Sequence, residues 1–508
     1  MNLSHKTSWL FPCILFLLSL AVRLAFISKG PYHVDGLNLA IQAEQTLQTG
    51  KLHHLFGPGY PLTVLCGTVF LALGRLLGFT DPVTAVNMMS VFFSAGTVPL
   101  FYILVKRCIG SSAGFYSALL LSFSPIFLLL SVYATSHTVS LFFLTAGLLG
   151  LKEYQQTLNI NTLLISGLLL GAMGGARIQD LILMFPALSV FLGFPSPEGS
   201  GHHPQRPSSQ RWCHFFLLFG TILFTAFLWH LPLLSTARHT GYHSQFFRFW
   251  QWGLIQNFLG IISPSMIESF RYMIFGLTPV GSVVSLLGLV QGLRVHSRTF
   301  FFLMSWFLIP LAFYGNLDSS APRFLLLSMI PLFISQGTFL AHLQSYRKPL
   351  FQAGIYGYIV ITVTLLFSQT YPILKFRHTH ALLPDFGRYV QTVTSQNAVI
   401  IAGDEALFIR HYGKREILAR PRFFHQDAGQ KLRAFNEEIA HQLKDGHDVY
   451  ITNTGLYSYD PGYLFSSFIK ARYNLNLVGE RMSEDWHKGE TRLRTGMEKL
   501  YQLELKQP

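Results

Sequence analysis

Asp35 lies just past the first apolar segment (Leu10 to Ile27), within Pro31-Tyr32-His33-Val34-Asp35-Gly36. The first 371 residues hold only eight acidic side chains: Asp35, Glu44, Asp81, Glu153, Asp180, Glu198, Glu268 and Asp318. In so apolar a chain a carboxylate beside a membrane segment does chemistry or pairs with a cation. For Asp35 the plain alternative is an acid at a helix end paired with Arg23 or Lys29. Arg323 offers a guanidinium that matches phosphate oxygens, and an interfacial anchor is its alternative. Arg177 and Asp180 stand three apart, a spacing that also makes a local ion pair. His33 and His137 suit substrate or metal binding, but no second ligand follows at a diagnostic spacing, so ordinary interfacial histidines are the alternative. Tyr60, in Gly57-Pro58-Gly59-Tyr60-Pro61, shapes the helix that follows or touches substrate.

The elements that must position these residues are membrane helices. Charged residues make up 12% of the 508, against roughly 25% in soluble domains. Apolar runs of about 16–22 residues, near the length that crosses a bilayer, recur from Leu10 to about Tyr371. The first lacks a small-residue cleavage site after Arg23 and reads as an uncleaved anchor. Further spans are expected at about 84–105, 112–131, 135–151, 162–177, 179–194, 213–235, 272–293, 298–315, 324–344 and 350–371.

The segment from Tyr60 to Phe79 decides the topology. If it spans, Lys106-Arg107, Lys152, the basic loop 195–212, Arg294/Arg298 and Arg347-Lys348 all fall outside. If it lies along the outer surface, all fall on the cytoplasmic side, as the positive-inside rule demands. The expectation is about eleven spans and an extracytoplasmic C-terminal domain. Asp35, the turn at Ser136-His137, Arg177 to Asp180, the loop 236–270 and the loop Asn316 to Arg323 then gather at the outer face. That loop 236–270 mixes Arg238, His239, Tyr242, His243, Arg248, Trp250 and Trp252, a composition suited to a headgroup or glycan or to an interfacial aromatic belt.

From Pro372 onward Lys+Arg number 19 against 16 Asp+Glu, so most of the net charge of +14 belongs to the membrane part. Such a surplus in short loops is a topology signal, and no nucleic-acid partner is expected. Cys13, Cys66, Cys108 and Cys213 lie in or beside apolar segments without paired ligand spacing. In the tail, 397–402 reads as a buried strand ending at Gly403-Asp404-Glu405, 428–444 as an amphipathic helix and 448–452 as a second strand. That order suggests a small α/β domain at 372–508 beside a membrane domain at 1–371.

The pattern Asp35-Gly-Leu-Asn, then Gly57-Pro58-Gly59-Tyr60-Pro61-Leu62, then Val86-Asn87, resembles the GT-C membrane glycosyltransferases, in particular the protein O-mannosyltransferase-like branch. Ser124-Pro125 and Arg323-Phe324-Leu325-Leu326 before Pro331 are also similar. Two positions depart: Asn38 stands where the family has Glu, and Phe56 where it has His. The resemblance implies an all-α polytopic GT-C fold and transfer of a sugar from a polyprenyl-phosphate carrier outside the cytoplasm, in the plasma or inner membrane. The acceptor would be a protein, lipid or glycan. It further implies Asp35 as the base or as the group that positions the acceptor. Arg323 and Arg177 would meet the departing phosphate, with Asp180, His137, His33 and Tyr60 around the substrates. A divalent metal is compatible with the residues and not demanded by them. A transporter or flippase for a lipid-linked substrate, or a non-catalytic membrane protein with an outer binding domain, stands as the alternative.

Overall fold

The computed structural model describes residues 3–55, 59–79, 81–193, 208–240, 264–295, 297–317, 321–420, 428–458, 460–484 and 493–506. Phe56 to Pro58, Asp318, Glu198 and most of the loops 195–212 and 236–270 lie outside them. The chain divides into two compact units: Met1–Ser28 with Leu39–Phe376, and Lys29–Asn38 with Arg377–Pro508.

The first unit is helical. Its first ten helices are α1 (Leu3–Ala25), α2 (Val34–Thr49, which begins in the other unit), α3 (Pro61–Leu76), α4 (Pro82–Cys108), α5 (Ser111–Phe123), α6 (Pro125–Leu130), α7 (Ser136–Thr157), α8 (Ile160–Ala176), α9 (Ile178–Gly193) and α10 (Ser208–Thr240). Helices Pro264–Leu277, Pro279–Val295, Ser297–Tyr314, Leu326–Ser345 and Pro349–Thr379 follow.

Among the described residues, four helices are long and apolar enough to cross a membrane, or five if the bent pair Pro264–Leu277 and Pro279–Leu293 counts as one. The chain is a multi-pass membrane protein, and shorter apolar helices (Ile160–Ala176, Ile178–Leu192 and Thr299–Tyr314) lie where further spans are expected. In two places a break divides an apolar run into shorter helices. The run 112–131 breaks at Ser124-Pro125, where proline has no N–H to continue the ladder. The run 272–293 is bent: its helices meet at 96°, across Thr278, whose φ is +67°.

Glycines set the spacing around the site. Gly167, Gly171, Gly174 and Gly175 form one stripe on α8, and a Cβ on Gly171 would come within 2.4 Å of Thr225 on α10. Small residues at this spacing let helix backbones approach closely in lipid. The packing holds the end of α8, where Arg177 follows.

The second unit contains a five-stranded sheet in the order β2-β1-β3-β5-β4. Strands β1 (Val399–Ala402), β2 (Glu416–Ala419) and β3 (Val449–Thr452) run parallel, while β5 (Thr495–Leu505) is antiparallel to β3 and to β4 (Tyr473–Glu484). Both central strands, β1 and β3, are buried along their whole length, as a sheet covered on both faces requires. Phe386, Val390 and Ile409 cover one face; Leu432, Phe435, Ile439, Phe465 and Ile469 cover the other. The small α/β domain expected from the tail is therefore present, and its helix is Ala428–Lys444.

A pair of carboxyl groups sits at the carboxyl ends of β1 and β3. Glu405 accepts from Gly403 N (3.1 Å) and from the hydroxyls of Thr452 and Thr454. Glu498 accepts from Thr454 N (2.7 Å). Burial pushes the Glu405 carboxyl upward. Burial, with the Glu405 charge added, pushes Glu498 up to about 8.

Candidate functional site

Several helix ends of the first unit meet around one buried guanidinium. Arg177 is the single extended residue (φ −155°, ψ 96°) between α8 and α9. Its Nε donates to Asp180 Oδ2 (2.9 Å), its Nη1 to Ser136 Oγ (3.0 Å) and its Nη2 to the Tyr314 hydroxyl (3.3 Å). The Tyr314 hydroxyl in turn donates to Asp180 Oδ1 (2.5 Å), and Ser140 donates to Asp180 Oδ2 (2.8 Å). Arg177 and Asp180 are 2% and 4% exposed. An ion pair this deep holds together only because hydrogen bonds occupy the rest of both groups.

Each partner is delivered by an element end. Thr135 caps α7 by accepting from His137 N (3.4 Å), which sets Ser136 at the helix start facing Arg177. Asp180 lies in the first turn of α9, where a carboxylate suits the positive end of the helix dipole. Tyr314 closes the helix Ser297–Tyr314, which packs on α9.

Tyr60 stands in the left-handed region (φ 48°, ψ 49°) immediately before α3. That conformation is uncommon for a residue with a Cβ. Both functional parts of the side chain are engaged: the hydroxyl accepts from Gln179 Nε2, and the ring lies under Arg177 with the guanidinium carbon 5.4 Å from its centroid. Tyr60 is thus buried against the site, and Thr63 one turn on donates to Ala176 O (3.2 Å).

An aromatic stack leads outward. Tyr314 and Phe324 stack at 5.4 Å and 13°, His137 meets the Phe324 ring edge-on at 5.7 Å, and the Arg323 guanidinium lies 4.8 Å from the same ring. Arg323 and Phe324 sit in the short 3-10 turn Pro322–Leu325, and both are partly exposed. Of the seven site residues expected from sequence, Arg177, Asp180, His137, Tyr60 and Arg323 come together here. Tyr314, Phe324, Gln179, Ser136 and Ser140 complete the cluster without having been singled out as site residues. Their contacts with it are mostly remote in sequence; the polar turn at Ser136-His137, the turn from Arg177 to Asp180 around Gln179 and the family-like stretch at Arg323-Phe324 gave local signals.

Asp35 and His33 belong to the second unit. His33 precedes α2, and its Nδ1 accepts from Asp35 N (3.0 Å). The same nitrogen lies 3.4 Å from Asp35 Oδ2. With Nδ1 accepting, a neutral ring carries its proton on Nε2, so we assign the 3.4 Å contact as no hydrogen bond. The loop around them is tied to the chain after residue 376. Lys29 N donates to Arg377 O (2.9 Å), and Arg377 lies 3.0 Å over the Tyr32 ring and pairs with Glu484 at 3.4 Å. The polar contacts of Arg23 are Ser94 Oγ, Ser19 O and Ser19 Oγ, and Lys29 Nζ donates to Thr379 O. The expected alternative of Asp35 paired with Arg23 or Lys29 is not among these contacts. No group of three or more His, Cys, Asp or Glu side chains able to hold a metal occurs among the described residues.

Residues 62–230 match the family model of dolichyl-phosphate-mannose-protein mannosyltransferase. No curated protein matches the chain by sequence. In structure the chain is similar to ArnT from Cupriavidus metallidurans bound to undecaprenyl phosphate, with a TM-score of 0.62, 11% identity and 98% of both chains covered. It is also similar to the oligosaccharyltransferase AglB from Archaeoglobus fulgidus in complex with an inhibitory peptide and a dolichol-phosphate (TM-score 0.55, 12% identity, 93% of this chain and 73% of that one). A third likeness is to the arabinofuranosyltransferase AftD from Mycobacteria (TM-score 0.55, 14% identity, 97% of this chain and 41% of that one). The fold is that of the GT-C glycosyltransferases.

Proposed function

We infer that this GT-C-fold membrane protein is a glycosyltransferase that moves a sugar from a polyprenyl-phosphate carrier to an acceptor at the extracytoplasmic side of the plasma or inner membrane. The observation that carries the reading is the Arg177-Asp180-Tyr314 network continuing through Phe324 to Arg323. It occurs in a chain whose residues 62–230 match a mannosyltransferase family and whose fold accommodates a polyprenyl phosphate in ArnT. A hexose, mannose foremost, is the sugar this match favours. The acceptor is a protein, lipid or glycan hydroxyl.

In such a transfer the acceptor oxygen bonds to the anomeric carbon as the bond from that carbon to the phosphate oxygen breaks. The hydroxyl proton passes to a base and the phosphate leaves with added negative charge. Asp35 is the base in this reading: its carboxylate is one-third exposed, and its backbone N–H is fixed by His33. Arg323 takes the phosphate charge. Arg177 already spends its charge on Asp180 at 2.9 Å. We therefore give Arg177 and Asp180 the task of holding Ser136 and Tyr314, with His137 and Tyr60 walling the sugar side.

Transfer assays with a panel of polyprenyl-phosphate sugars test this. The wild type transfers from at least one donor; Asp35→Asn keeps carrier affinity and loses turnover by roughly 100-fold or more. No transfer from any donor, together with carrier movement across vesicle membranes, would establish the transporter instead. No transfer and no carrier movement would leave a non-catalytic membrane protein, and turnover unchanged in both Asp35→Asn and Arg323→Ala would remove these two residues from the chemistry.

A further inference from the structure

A row of polar side chains on α4 serves none of the steps above. Asn87, Ser90 and Ser94 are all fully buried and, at i, i+3 and i+7, share one face of the helix. Asn87 Nδ2 donates to Ser28 O (3.1 Å) while its Oδ1 accepts from Ala134 N (2.8 Å). Ser90 Oγ accepts from Thr135 N (2.9 Å). Ser94 Oγ accepts from Nε of Arg23, itself fully buried and 5.0 Å over the Phe127 ring.

The two amides that this row captures are the ones immediately ahead of α7. Ala134 and Thr135 lie between α6 and α7, where no helical carbonyl is available for their N–H groups. In a water-poor interior such donors are costly to leave unmade. Thr135, held by Ser90, caps His137 N, and the next residue, Ser136, receives Arg177 Nη1. The far side of Asn87 grips Ser28, whose own N–H donates to Val132 O (2.9 Å). The strand of chain after α1 and the turn before α7 are thus pinned to one amide side chain.

We propose that Asn87, assisted by Ser90, is a positioning residue for the transfer reaction: it fixes the Ala134–His137 turn that presents Ser136 and His137 to Arg177 and Phe324. The proposal rests on the glycosyltransferase reading for its kinetic consequence but not for its structural one. Asn87 is fully buried, with its amide on Ser28 O and Ala134 N, so it acts through the turn it holds. Its effect is on geometry, where a displacement of about 1 Å is worth roughly 100-fold in rate.

The experiment compares wild type, Asn87→Leu and Ser90→Ala as full-length protein in detergent or nanodiscs. Hydrogen exchange across residues 132–139 is followed beside transfer kinetics and carrier affinity. Asn87→Leu raises exchange in that segment with the other helices unchanged. It lowers kcat by about 100-fold and leaves affinity for polyprenyl phosphate within threefold. Ser90→Ala gives the same pattern at roughly tenfold, and it decides the matter if Asn87→Leu does not fold. Unchanged exchange at 132–139, a kcat within twofold of wild type, or carrier affinity falling in step with kcat overturns the proposal. If the wild type transfers no sugar at all, the glycosyltransferase reading fails, and the exchange pattern alone judges the pin.

Discussion

Arg177 and Asp180 are joined twice, once directly through Nε and Oδ2 at 2.9 Å and once through the hydroxyl of Tyr314, which accepts from one and donates to the other. The two residues are close in sequence, while the tyrosine arrives from 134 residues beyond Asp180. The closed ring fixes the end of α8, the start of α9 and the end of the helix Ser297–Tyr314 to one another.

Cutting that ring at a charged member strands the opposite charge in a buried place. Arg177→Ala and Asp180→Ala are each expected to cost about 3–5 kcal/mol. The double variant Arg177→Met/Asp180→Leu recovers most of the loss because no lone charge remains. Thermal melting in detergent checks this. A double variant as unstable as the worse single one would show that the pair is held by something other than charge.

Tyr314→Phe tests the other half of the ring. The stack with Phe324 survives, while the donor to Asp180 and the acceptor for Arg177 Nη2 disappear, at a cost of about 1–3 kcal/mol. Transfer falls more mildly than in the charge variants. A melting temperature equal to that of wild type would remove the hydroxyl from the account.

For Arg323 the expected signature is kinetic. Arg323→Ala lowers kcat/KM by roughly 100- to 1,000-fold, as does loss of one donor to a developing anion elsewhere. Arg323→Lys restores only part, since an ammonium lacks the planar fork. Titration with carrier phosphate lacking sugar gives the matching affinity loss. Equal activity in Ala and wild type would assign the phosphate to another group.

The Glu405 and Glu498 pair makes the second unit sensitive to pH. Glu498 titrates at about 8 when folded, against roughly 4.3 when unfolded. The folded chain therefore holds a proton that the unfolded chain has released across that window. Stability is full below the unfolded value and declines as pH rises toward 8. Glu498→Gln, which keeps the shape of the protonated acid, flattens the dependence. Hydrogen exchange of β1 and β3 between pH 5 and 9, on the whole protein, follows it. Rising protection with pH would reverse the sign and refute the assignment.

Much of this architecture is legible from residue order alone. The apolar runs locate the helices, and the tail's strand, helix and strand appear where Val399–Ala402, Ala428–Lys444 and Val449–Thr452 now lie. What escapes is of two kinds. Helix breaks such as Thr278 depend on a local φ of +67° that an unbroken apolar run conceals. The strand β4 escapes because it is largely exposed, and β5 because the polar Glu498 occupies one of its buried positions. The site follows the same division. Arg177, Asp180 and Arg323 stand out as charges in an apolar chain, whereas Tyr314 looks like any interfacial aromatic until the helices are packed.

Only one residue, Arg177, separates α8 from α9. Each residue of helix turns the chain by about 100°, so adding or removing one here would swing Asp180 away from Tyr314 without altering any side chain. At this junction the number of residues is a stricter requirement than their identity. A scan of single insertions and deletions should find the chain less forgiving there than at its surface loops.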